Sequence, residues 1–353
     1  MAGTASGWAL LLVAGASNAT FGLPMKFVRG WRWENTWAGW TAFALIILPV
    51  AVAIGCVPSL AIVYRGPGLA TAAIICLFGM GWGLAQVLFG KAMDLIGIGL
   101  AFAIVLGISS AAGTLFPLFR MDSSAFESST ALRLMPGLLF VALGVTACAI
   151  AGNRREAAQS ANSRIELSFT PGLLMALASG VLASFMNVGL SFAPQLLART
   201  AAVGIGSTRG MFAVWLPLLL GGAAPNLLYC IVLLRRNRTW PLYRGADRAL
   251  NISLVALMAA LWFFSTVFYG IASQNLGPLG VVLGWPVFMA VIVISAGLIG
   301  MATGEWKHCG KTPILIQVGG ILLLVLAIVS FARAQNLTQP AQPTVSFVDG
   351  YVR

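Results

Sequence analysis

Charge is confined to a few short stretches of this chain, and the gaps between them dictate the fold class. Runs without Asp, Glu, Lys or Arg cover residues 1–25, 35–64, 66–90, 95–119, 134–153, 167–198, 210–234, 249–304 and 312–332. A helix needs about 20 apolar residues to cross a bilayer. Eight of these runs hold one crossing each. The run 249–304 is long enough for two, with a break expected at Ser273–Pro278. Charged residues make up only 8% of the chain and hydrophobic ones 59%, whereas a soluble domain carries about 25% charged residues. The sequence predicts an all-α integral membrane protein with ten transmembrane helices in one transporter domain spanning the chain.

The net charge of +12 does not point to nucleic acid, because the basic residues sit in short loops between spans, where they set orientation. With the N-terminus outside, 14 of the 21 Lys and Arg fall in the inner loops. The first apolar run is read as a retained span rather than a signal peptide, since no Lys or Arg precedes Lys26 and a basic leading segment is missing. Four of the five cysteines lie inside apolar runs, and no metal-ligand or disulfide spacing appears. No ATP-binding loop is present, and no cofactor is implied.

The stretch 78–119 is expected to form a helical hairpin at the centre of the protein. Gly79, Gly83, Gln86 and Gly90 share one face of its first helix, and Ala103, Gly107, Ser110 and Thr114 share one face of the second. Small residues let backbones approach in lipid, and polar ones there face protein or a watery cavity. In the sixth span Gly180, Ser184, Asn187 and Ser191 fall on one face, and in the eighth Trp262, Thr266, Tyr269 and Ser273 do. The second span, about 37–57, is uniformly apolar and is expected at the lipid-facing edge, with Ala44 tolerant of enlargement. The loop Lys26–Trp37 is rich in Trp and basic residues, as suits an interface.

Two halves echo one another. Gly7 and Gly15 match Gly172 and Gly180, Gly90–Gly97 matches Gly270–Gly277, and Gly137 corresponds to Gly320, all in the same order. A five-span repeat crosses an odd number of times, so its second copy is inverted, as in many secondary transporters. The expected halves are 1–152 and 169–333, separated by the loop-like stretch 153–168 and followed by a loosely ordered tail, 334–353.

Several stretches resemble the L-rhamnose–proton symporters of the drug/metabolite transporter superfamily. The most specific is Trp31-x-Trp33-Glu34-x2-Trp37, preceded by Pro24-Met-Lys26-Phe-Val. Others are Gly90-x2-Met93-x2-Ile-Gly97, Gly107-Ile108-x4-Gly113-Thr114-Leu115, Phe268-Tyr269 and Glu305-Trp306-x3-Gly310-Lys311-x-Pro313. The resemblance runs from about Gly7 to Ala332 and is weakest over Ala193–Arg209. It implies a bacterial inner-membrane protein that takes up a deoxyhexose with protons.

The residues themselves favour a secondary transporter for a small polar solute such as a monosaccharide. Hydrogen-bonding side chains with aromatic surfaces suit a sugar, and the expected lining is Asn18, Trp82, Gln86, Ser110, Asn187, Trp262, Tyr269 and Gln274. An exporter or multispecific carrier of the same superfamily is an alternative. A membrane-embedded enzyme is another, resting only on His308 beside Cys309, which lack an orienting partner. No carboxylate lies in mid-span. Of the nine, Glu34, Asp94 and Glu305 stand at helix ends, and Glu34 and Glu305 also belong to the family-like stretches. If protons drive uptake, Glu34 or Glu305 is the expected coupling group, unless each merely pairs with Arg32 or Lys307.

Overall fold

In the computed structural model the structure describes residues 2–121, 129–159, 169–307 and 309–338. The remainder of the loop expected between the fourth and fifth spans, most of the central loop, His308 and the tail beyond 338 lie outside the described residues. Ten helices are long and apolar enough to cross a membrane, and the described residues contain no strand. We label them α1 (Ala2–Thr20), α2 (Trp33–Cys56), α3 (Pro67–Ile96), α4 (Ile98–Met121), α5 (Ser129–Gln159), α6 (Phe169–Ala202), α7 (Ser207–Arg236), α8 (Arg248–Asn275), α9 (Gly280–Ala302) and α10 (Lys311–Thr338). In lipid the backbone must satisfy its own hydrogen bonds, which selects helices.

Local chemistry fixes the ends and irregularities. Pro67 opens α3 after Gly66, and a proline suits a first turn because its missing N–H has no partner there anyway. Gly97, at φ 85°, ends α3 and lets α4 start at once. α2 passes through a π-helical turn at Phe43–Ile47 just before Pro49, a usual place for a helix to loosen. α6 is broken at Ser184 and again at Ser191–Phe192.

Four expectations are corrected here. The central stretch does not begin as a loop at Asn153, because α5 runs on to Gln159. The tail is not loose from residue 334, because α10 continues to Thr338. The sixth span, expected over about Pro171–Phe192, continues as helix through Ala193–Ala202, where an amphipathic sequence carries Leu196 and Thr200 inward. Finally, α2 is not a lipid-facing edge: Trp40, Thr41, Ala44 and Leu45 are fully buried against the bundle. Uniform apolarity conceals which face packs, because lipid and protein interior reject charge equally.

Glycines set the closest helix contacts. A Cβ on Gly79 would lie 2.0 Å from the Leu218 carbonyl oxygen, one on Gly83 2.4 Å from that of Gly222, and one on Gly221 2.1 Å from that of Cys76. α3 therefore meets α7 backbone to backbone. The expected glycine face is used, but its partner is α7 rather than the neighbouring α4. Gly15 lets α1 approach Val291 of α9, and Gly144 and Gly320 bring α5 and α10 together. α3 also holds α6 through the Ser179 hydroxyl, which donates to the Ala85 carbonyl at 2.9 Å.

These contacts predict that Gly83→Leu prevents stable folding, since backbone atoms cannot yield. Ala44→Leu is expected to cost about 1–3 kcal/mol by overpacking, while Leu77→Ala, on a side chain 65% exposed, leaves stability nearly unchanged. Thermal melting of the purified variants, followed by size exclusion, checks the order.

Candidate functional site

The chain's ends and loops sort onto two faces. Lys26, Arg155 and Glu305 meet on one, where Arg29 pairs with Asp247 and the Trp31 indole donates to the Leu242 carbonyl at 3.0 Å. This basic face gathers the loops before α2, before α8 and before α10 with the end of α5 that carries Arg155. On the other, Arg199 donates to the carbonyls of Val63 and Arg65, and Gln335 donates to that of Leu276.

A cavity of about 650 Å³ runs inward from the basic face. Its mouth is lined by Gly152, Arg155, Glu305 and Trp306, and its inner walls by aromatic rings. A connected series of indoles forms one wall. Trp33 stacks on Trp37 (5.4 Å between centroids), Trp37 tilts against Trp40 (4.5 Å), Trp40 meets Trp262 edge-on (5.2 Å), and Trp262 stacks on Trp82 (5.5 Å). The Trp-rich loop thus supplies cavity wall, beyond the interface role expected of it. The Trp37 indole donates to Asn226, whose amide donates in turn to the carbonyls of Gly83 and Gly222. The same glycine contact that joins α3 to α7 therefore also orients the wall.

Of the residues expected to bind substrate, Asn18, Trp82, Gln86 and Trp262 line this cavity. Asn18 donates to the Ser265 hydroxyl at 2.9 Å. Gln86, half-buried, makes no hydrogen bond among the described residues. Ser110, Asn187, Tyr269 and Gln274 do not reach the cavity. Asn187 instead ties four helices together. Its amide donates to the Gly113 carbonyl of α4 (2.7 Å) and the Val281 carbonyl of α9 (2.9 Å), and its oxygen accepts from the Tyr269 hydroxyl of α8. Tyr269 packs on Trp285 and Phe288, which form the cavity floor. The Trp285 indole is pinned by the Ser109 carbonyl at 3.0 Å. Ser110 is buried beside this seal with its hydroxyl unpartnered, and so is the Gln274 amide nitrogen. The seal closes the cavity toward the face opposite the basic one.

The two candidate coupling carboxylates differ in place. Glu34 is buried, accepts from Asn237 (3.0 Å) and Thr239 (2.9 Å), and lines a separate surface pocket with Arg238. Glu305 lines the cavity mouth and binds Lys26 at 2.7 Å and Arg155 at 2.9 Å. Neither makes the pairing first expected of it, with Arg32 or Lys307, among the ion pairs of the described residues. The hydrogen bond from Lys26 holds the Glu305 carboxyl below its ordinary range, against partial burial and with help from the charges of Lys26 and Arg155. Arg155 also lies over the Trp306 ring. Cys309 is buried, its thiol donating to the Trp306 carbonyl, while His308, the other residue of that pair, lies outside the described residues.

Thr266, on the face of the eighth span singled out from the sequence, also lines the cavity, and Trp40, Trp285, Phe288, Arg155 and Gln317 join it without having been expected there. Gln317 was detectable, as an amide within an otherwise apolar run. The others look like ordinary packing or loop residues.

Comparison with known proteins gives a consistent picture. Residues 4–334 match the model of the L-rhamnose-proton symport protein family, RhaT. The chain is 26% identical over 325 residues to the L-rhamnose-proton symporter of Citrobacter koseri, covering 90% of this chain and 94% of that protein. It is 27% identical to that of Pectobacterium atrosepticum over 89% and 93%, and 28% identical to that of Cronobacter sakazakii over 92% and 96%.

The Glu305 tie carries a pH signature. Because folding lowers the carboxyl's pKa, its contribution is present above the ordinary value of 4.5 and is lost as pH falls through the folded value. Glu305→Gln is therefore expected to melt lower than the parent at pH 7 and to converge with it in acid below the carboxylate range. Melting curves from pH 7 down to the acid limit of solubility check this.

Proposed function

The chain belongs to the L-rhamnose-proton symport protein family, and we propose that it takes up L-rhamnose or a closely related monosaccharide together with protons. That family is one of transporters, not enzymes, and the ten apolar helices make this a multi-pass protein of the bacterial inner membrane. The observation that carries the reading is the cavity. Its volume of about 650 Å³ lies within the range of about 300–1,000 Å³ usual for small-molecule sites. Broad indole faces suit the C–H surfaces of a pyranose, and Asn18 and Gln86 offer the amides that its hydroxyls need. Trp82 and Trp262 serve as stacking surfaces. Asn187 and Tyr269, with Ser110 and Gln274 beside them, act in the seal that must open when access changes sides.

The basic face is assigned to the cytoplasm by its excess of Lys and Arg, so the cavity faces inward. Two inverted five-helix halves, α1–α5 and α6–α10, supply the moving parts, a design in which access alternates around a central site. Glu305 is the preferred coupling group over Glu34, because it is the carboxylate at the cavity. Protonating it removes the charge that holds Lys26 and Arg155, which loosens three segments at the mouth. Glu34, held by two neutral donors, anchors the α7–α8 connection.

The test is uptake of radiolabelled L-rhamnose into proteoliposomes under an imposed pH gradient. Glu305→Gln is expected to lose accumulation against a gradient and keep exchange of labelled for unlabelled sugar. Gln86→Ala is expected to weaken half-saturation about threefold to tenfold, the effect of one lost neutral hydrogen bond of about 0.5–1.5 kcal/mol. Normal accumulation and alkalinisation by Glu305→Gln would move the coupling role elsewhere, and absence of any saturable sugar flux in the parent would sink the substrate reading.

A further inference from the structure

Buried amides in these helices fall into two groups. Asn187, Asn226 and Gln335 are at least nine-tenths buried, and each donates to backbone carbonyls of neighbouring helices. This is what an amide that merely glues helices does in lipid. Gln317 of α10 is 3% exposed, yet it donates to no carbonyl among the described residues. The polar neighbour beside it is the thiol of Cys148 on α5, and a thiol is a weak partner. Both side chains line the cavity.

The surroundings keep this amide in place. Gly297 of α9 faces it, and a Cβ there would come within 2.3 Å of the Gln317 amide nitrogen. Gly297 lines the cavity too. Gln317 lies six residues beyond Lys311, roughly 9 Å along the axis at 1.5 Å per residue, so it stands deeper than the Glu305 mouth. α10 is also the most hydropathic of the ten spans, at 2.7. An amide left without a carbonyl partner in such a helix is costly unless something in the cavity satisfies it.

We propose that Gln317 is a direct sugar-binding residue, forming with Cys148 and Gly297 a subsite on the α5–α9–α10 wall, opposite Gln86 and the indoles. Its amide bonds a ring hydroxyl, while Gly297 positions it by leaving the room it occupies. The inference rests on the monosaccharide reading above. It also makes Cys148 a reporter, because sugar at this subsite covers the thiol.

The experiment uses full-length protein purified in lipid nanodiscs, with radiolabelled L-rhamnose as probe. Equilibrium binding to Gln317→Met is expected to be about threefold to tenfold weaker than to the parent, with melting temperature and elution unchanged. In parallel, with Cys56, Cys76, Cys230 and Cys309 replaced by Ala, L-rhamnose is expected to slow methylation of Cys148 by a small thiol reagent, at the sugar concentration that half-saturates binding. This second measurement leaves Gln317 intact, so it stands even if Gln317→Met does not fold. Sugar that binds the parent without protecting Cys148, or binds folded Gln317→Met with unchanged affinity, overturns the subsite alone. No binding of L-rhamnose to the parent overturns the monosaccharide reading, and the subsite with it.

Discussion

The backbone contact between α3 and α7 is the constraint on which the rest of the architecture depends. Gly79 and Gly83 press against Leu218 and Gly222, and no side chain fits between them. Farther toward the basic face, the same side of α3 carries Gln86 and Gly90, and there the contact gives way to the cavity. One helix face is thus divided between packing and lining. Asn226 sits at the division, donating to Gly83 on one side and accepting from Trp37 on the other. In lipid no hydrophobic force distinguishes helix from solvent, so van der Waals fit and interhelical hydrogen bonds hold the bundle. This backbone fit therefore fixes how α3 and α7, and the helices packed on them, stand.

The two ends of the cavity are closed by different physics. At the opposite face, Asn187 and Tyr269 link α4, α6, α8 and α9 in a dry interior. Opening that seal exposes an amide, a phenol and two carbonyls, each of which must find water or sugar to avoid a desolvation cost of about 1–3 kcal/mol. At the basic face, Lys26, Arg155 and Glu305 are partly exposed, and exposed ion pairs contribute about 0–1 kcal/mol because water screens them. The mouth yields easily and the seal does not, which accounts for a cavity continuous with the basic face. The mouth is thus held by charges and the seal by neutral groups.

Legibility from sequence followed the kind of information each residue carries. Charge-free runs located all ten helices, since excluding charge from hydrocarbon is a local demand. Small residues marked Gly79 and Gly83 as contact points, and the polar residues Asn18 and Gln86 were recognisable as lining. Partners were not legible: Gly83 was expected to serve a hairpin with α4 and instead meets α7. Burial of α2 was equally hidden, because Ala44 against Trp262-bearing α8 and Ala44 against lipid have the same composition. Asn187 and Tyr269 were expected to line the sugar site and instead bond each other, because whether such groups meet a substrate or each other depends on distances that periodicity does not contain.

By itself, the sequence determined that this is a ten-helix membrane protein and, through the stretch around Trp31–Trp37, the family to which it is similar. Each of these is written in the order and spacing of residues along one helix. The tertiary structure alone decided that Trp33 and Trp37 join Trp40, Trp82 and Trp262 in one wall, that Glu305 rather than Glu34 stands at the cavity, and that Gln317 is a buried amide with no backbone partner among the described residues. Those outcomes depend on which helices lie side by side, and that is set by backbone contact at a few glycines far from the groups they bring together.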